Sequence, residues 1–113
     1  MKPPAFQVYP RDFMSDANVL LMSWDERGVY MWLLYSCWLE GSIPADISEL
    51  ARICSPMTTR KMARMWARIG PCFAESEPGR LHHQRLTDQR EKMEERRRKL
   101  SAAGEKGAET RWR

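Results

Sequence analysis

Long apolar runs are missing from this 113-residue chain. The longest, Val29 to Leu39, covers about eleven residues against the ~20 that cross a bilayer, so no membrane partner is expected. Glycine is scarce and never forms a phosphate-cradling loop, and neither a nucleophile elbow nor a helical His-Glu-x-x-His pattern is present. The expectation is a protein that is not an enzyme, with no cofactor and no small-molecule substrate. Cysteine is limited to Cys37, Cys54 and Cys72, an odd number with no Cys-x-x-Cys spacing. That argues against a disulfide framework and against a cysteine zinc site. The opening MKPPAFQVYP has prolines where a signal peptide needs an apolar core, so a reducing cytoplasm is the expected compartment. His82 and His83 are neighbours and would point to opposite faces of a strand, which disfavours a shared metal ion.

What is present is charge, unevenly spread. The net charge is +4, yet residues 1–50 hold three basic and seven acidic side chains, whereas residues 51–113 hold sixteen and eight. An acidic half joined to a basic half points to an anionic partner for the second. Five Trp and eight Met supply bulky material for one small core.

The pattern predicts mainly α structure with a small β-hairpin. FQVYP is extended, because Pro10 holds Tyr9 away from helical dihedrals, and DFMSDANVLLM has room for a helical turn. Ser23 and Glu26 have capping-box spacing, opening a helix that stops at Gly41 with Pro44 beyond. Tyr30, Leu33, Leu34, Cys37 and Trp38 form its stripe. Met31, Trp32, Tyr35 and Leu39 make its other faces apolar, so it is expected to be the most buried helix, with Gly28 either admitting another backbone or a weak local choice. Asp46 and Glu49 repeat the capping-box spacing before a two-turn helix that Pro56 ends. A third helix reaches about Ile69, with Met62, Met65, Trp66 and Ile69 on one face and Arg60, Arg64 and Arg68 on another. CFAESEPGRLHHQRL reads as a hairpin with Pro78-Gly79 at its tip and Leu86 at its end.

Three helices and a hairpin, over residues 1–86, give the order of a winged helix-turn-helix. Residues 87–113 form a charged extension, helical to about Ala103, with Gly104 and Gly107 loosening its basic end. Asp88–Lys92, Glu94–Arg98 and Glu95–Lys99 are favourable i, i+4 pairs within it. Trp112 stands among charges in the tail, where it would stack on a base or a partner protein or stay disordered.

The third helix carries the sharpest functional reading. Arginines one turn apart meet phosphates or a guanine edge in a groove, and no acid lies between Lys61 and Ile69. The residues expected to contact DNA are Thr59, Arg60, Lys61, Arg64 and Arg68, with Thr58 as an alternative phosphate donor and Arg80 and Arg85 from the hairpin. The competing reading is a solvated face that keeps the domain in solution.

The elements FQVYPRDFMSD, DERGVYMWLLYSCWLEGSIPAD, WARIGPCF and GRLHHQRL resemble the YdaU-like domain of unknown function of phage and prophage genomes. Tyr9, Pro10, Asp12 and Phe13, then Glu26, Arg27, Gly28 and Tyr30, carry the most specific parts, and SAAGEKGAETRW resembles that family's ending. The resemblance implies a non-enzymatic DNA-binding protein of a replication module. Duplex is the expected partner, with a helicase-loader-type protein or a second copy as further candidates. A protein-interaction adaptor and a transcriptional repressor are the rival roles.

Overall fold

The computed structural model describes residues 4–111, with side chains as far as 104. After an extended arm come α1 (Pro10–Ser15), α2 (Ala17–Leu20), α3 (Trp24–Glu40), β1 (Ile43–Pro44), α4 (Ile47–Ile53) and α5 (Thr59–Ile69). A 3-10 turn (Gly70–Cys72), β2 (Ala74–Glu77), β3 (Arg80–His82) and the long α6 (Gln84–Arg111) complete the chain. The fold is mainly helical with one three-stranded antiparallel sheet, ordered β1-β3-β2.

α3 forms where the sequence sets its start and stop. The Ser23 hydroxyl accepts from Glu26 N at 3.2 Å and Glu26 Oε1 accepts from Ser23 N at 2.7 Å, closing the capping box. Gly41 ends the helix at φ 89°, a left-handed conformation that costs glycine little, and its N–H donates to Cys37 O at 2.7 Å. Tyr30, Leu33, Leu34, Cys37 and Trp38 face the core with Ile43, Leu50, Met62, Ile69 and Leu86. The opposite face differs from expectation. Met31 packs against the core, but Trp32, Tyr35 and Leu39 are exposed, as is Trp24, because only one flank of α3 is covered by other elements. Gly28 also corrects the reading: a Cβ there would meet nothing within 4 Å, so among the described residues no backbone crosses it.

α4 ends at Ile53, just before the cis Ser55–Pro56 peptide. Asp46 caps it through backbone geometry alone, without the expected side-chain bond. β1 was not foreseen. It is two residues long and contains a proline, which a sheet accepts at an edge. Ile43 pairs with Leu81 and Pro44 with Arg80.

The hairpin is shorter than its sequence suggests, and Arg85 is not part of it. β3 closes at His82 and α6 begins at Gln84, because Leu86 packs into the core as a helical residue. α6 runs to Arg111 through Gly104 and Gly107. Extending an existing helix is far easier than starting one, so two glycines at about 1 kcal/mol each do not stop it. Trp112 lies outside the described residues. Arg90 fastens α6 to the end of α3, its guanidinium donating to Trp38 O and lying 5.0 Å from the Trp38 ring. A cation beside a helix C-terminus is favourable.

Candidate nucleic-acid interface

α5 is built to show one face. Met62, Met65 and Ile69 are buried, and the half-buried Trp66 stacks on Phe73 with centroids 5.9 Å apart. Thr58 caps the start, its hydroxyl accepting from Lys61 N at 3.1 Å. Thr59, Arg60, Lys61 and Arg64 are exposed on the outer side of a helix that contains no acid. Arg60 and Arg64 stand about 6 Å apart along the axis.

Arg68 is exposed too but engaged. Its Nη1 donates to Leu21 O at 3.2 Å and lies 3.5 Å from Glu26 Oε1. Burial works to raise the Glu26 pKa, yet the hydrogen bonds from Ser23 and the Arg68 guanidinium hold it below the ordinary glutamate value. One carboxylate thus closes the α3 cap and ties α5 to it. Lys61, Arg64 and Arg68 share a groove with Asp25 and Glu26 at that junction.

The remaining expected contacts sit elsewhere. Arg80 turns inward, Nε donating to Ser42 Oγ and Nη2 to Ser42 O, both at 3.1 Å, which fastens β3 to the loop before β1. The hairpin's own side chains include Glu75 and Glu77, and Glu75 accepts from Gly79 N at 2.9 Å. Arg85 lies in the first turn of α6, beside the arm rather than beside α5. His83 Nε2 and Tyr30 Oη share a 2.8 Å hydrogen bond under Phe73. Burial, then Arg85, depress the His83 pKa against the pull of Asp16, and burial raises that of Tyr30. Among the described residues no three His, Cys, Asp or Glu side chains are grouped to hold a metal.

Two features escaped the sequence reading. A cleft of about 480 Å3 opens between α3 and α5, with Trp24, Val29, Trp32, Met57 and Met65 on its walls and Lys61 on its rim. Trp24 is 82% exposed with the Arg27 guanidinium 4.5 Å from its ring centre, and Trp32 Nε1 donates to Ile53 O at 2.9 Å. The spacing Trp24-x3-Gly28-x3-Trp32 was the available signal: a glycine between two large rings, one turn from each. The second is a cleft between the arm and α6, which no local pattern marks.

These features define a small, mainly helical protein with one three-stranded sheet and an acid-free basic helix packed against α3 and α4. The chain belongs to the family described as protein of unknown function (DUF1376), whose model matches residues 4–91. No curated protein matches it. No solved structure matches it either. Among the described residues no helix is long and apolar enough to cross a membrane.

Proposed function

We propose that this chain is a non-enzymatic DNA-binding protein that lays α5 in the major groove of duplex DNA. The observation that carries the reading is the exposed face of Arg60, Lys61 and Arg64 on a helix that has no acid of its own and whose other side is locked into the core. The order α3-β1-α4-α5-β2-β3 supports a winged helix-turn-helix in which α5 is the recognition helix. Thr59 at its start reaches a phosphate, while Arg68 and Arg80 serve the fold and position that face. Resemblance to the YdaU-like domain of phage replication modules supports a role in replication initiation.

The test is fluorescence anisotropy of labelled duplex across a salt series, comparing the wild type with Arg60→Ala/Lys61→Ala/Arg64→Ala. The wild type is expected to bind with a log–log salt slope of roughly −3, about 0.9 per phosphate. The triple variant is expected to lose most of that slope and at least tenfold in affinity. Equal binding by both would refute the assignment of α5.

A second reading, a protein-interaction adaptor, is favoured by the Trp24–Trp32 cleft, an exposed apolar surface of the kind that marks interaction sites. It predicts a partner bound at fixed stoichiometry, with weak salt dependence and no retention of duplex.

A further inference from the structure

We propose a second binding site, independent of α5: the cleft between the N-terminal arm and α6 grips a single strand of nucleic acid. Arg85, Lys92 and Arg96 lie seven and four residues apart, which places them on one face of α6. Along the axis they are separated by about 10.5 and 6 Å. Together with Gln7 and Tyr9 they line a cavity of about 430 Å3. One acid, Asp88, shares it. Its Oδ1 accepts from Gln84 Nε2 at 2.9 Å, and among the described residues it forms no ion pair with Lys92. Three cations therefore face one carboxylate.

The arm side of the cleft is fixed in place. Gln7 N donates to Gln89 Oε1 and Gln89 Nε2 donates to Gln7 O, both at 2.8 Å, so one side-chain amide grips the arm as a neighbouring strand would. Tyr9 Oη donates to Gln7 Oε1 at 2.6 Å, which orients its half-exposed ring. Phe6 already anchors the arm by packing on Trp38, with centroids 5.4 Å apart. The Gln7, Gln89 and Tyr9 bonds set an exposed edge and an exposed ring, which core packing does not require.

A held aromatic ring beside a row of cations on one helix face is the arrangement that takes a strand with its bases unstacked: the ring stacks on a base and the cations follow the phosphates. The separation of Lys92 and Arg96 is of the order of that between neighbouring phosphates on an extended strand. An acidic peptide would satisfy the cations and leave the ring without a stacking partner.

The experiment is anisotropy of a labelled oligothymidylate of about 12 nucleotides with the full chain, across salt. Binding is expected with a log–log slope of roughly −2, about 0.7 per phosphate for single strands. Lys92→Ala/Arg96→Ala should leave a slope of roughly −0.7 and weaken binding at least tenfold. Tyr9→Ala should weaken it about tenfold with the slope unchanged, the signature of stacking rather than charge. Circular dichroism is the check that these surface variants stay folded. Arg60→Ala/Lys61→Ala/Arg64→Ala should bind the oligothymidylate like the wild type, so loss of duplex binding through α5 leaves this site standing. A parallel oligouridylate titration separates DNA from RNA as the source of the strand, and binding of either supports the cleft. No binding near physiological salt, full binding by the Lys92/Arg96 variant, loss in the α5 variant, or competition by polyglutamate as strong per charge as by oligothymidylate would each overturn it.

Discussion

α5 and α6 are both rich in arginine and lysine, yet they hold their charges in different ways. α5 is eleven residues long, has no acid, and is tied down by a buried stripe. α6 is 28 residues long and mixes acids with bases, and its buried or half-buried anchors, Leu86, Gln89, Arg90 and Met93, fall in its first third. α5 carries its cations on a helix anchored along its whole length; on α6 the anchors end at Met93, with Lys92 and Arg96 lining the arm cleft beside that last anchor and the basic residues farther on lying on an exposed stretch. A basic run therefore becomes a candidate surface through what its other side is attached to, not through its density of charge.

The largest expected effect comes from loosening α5. Ile69→Ala removes a fully buried side chain and should cost about 2–5 kcal/mol, read as a lowered denaturant midpoint with an unchanged slope. If α5 were as loosely held as distal α6, the cost would be a few tenths.

The Glu26 junction gives a smaller effect. Glu26→Ala opens the capping box and releases Arg68, and should cost about 1–2 kcal/mol, with little of it from the half-exposed ion pair. The Glu26 pKa is depressed in the folded state, so its contribution is complete above the ordinary value of 4.5 and is lost as pH falls below it. Glu26→Gln keeps the cap geometry and should flatten that acid limb in a pH series of thermal melts.

The smallest effect sharpens the contrast from the other side. Leu100 is 68% exposed on α6, and Leu100→Ala should shift stability by less than about 0.5 kcal/mol.

Much of α5 and α3 was legible because their signals are local. Ser23-x-x-Glu26 marks one start, Pro56 separates α4 from α5, and period-3.6 stripes name the buried faces. The partners were not legible. Arg68 meets Glu26 across 42 positions and Arg80 meets Ser42 across 38, so two arginines that read as free cations are held by the fold. β1 was hidden because two residues, one of them proline, carry no strand period. The start of α6 was misplaced because His82, His83 and Gln84 suit a strand end as well as a helix start, and the core's hold on Leu86 decides between them. The arm cleft joins Gln7 to Gln89, 82 positions apart, a juxtaposition that only the tertiary fold makes.

The one-sided attachment of α6 also governs how the molecule moves through water. At 28 residues the helix is about 42 Å long, and the particle measures 66 × 30 × 23 Å. Its radius of gyration is 18.2 Å, against about 13 Å for a compact chain of this length. A single copy will feel more drag than a sphere of its mass and leave a sizing column early, near the position of a globular dimer. Its rotational diffusion will be anisotropic, slowest for end-over-end tumbling. Sedimentation and scattered-light mass, rather than elution volume, will report how many copies travel together.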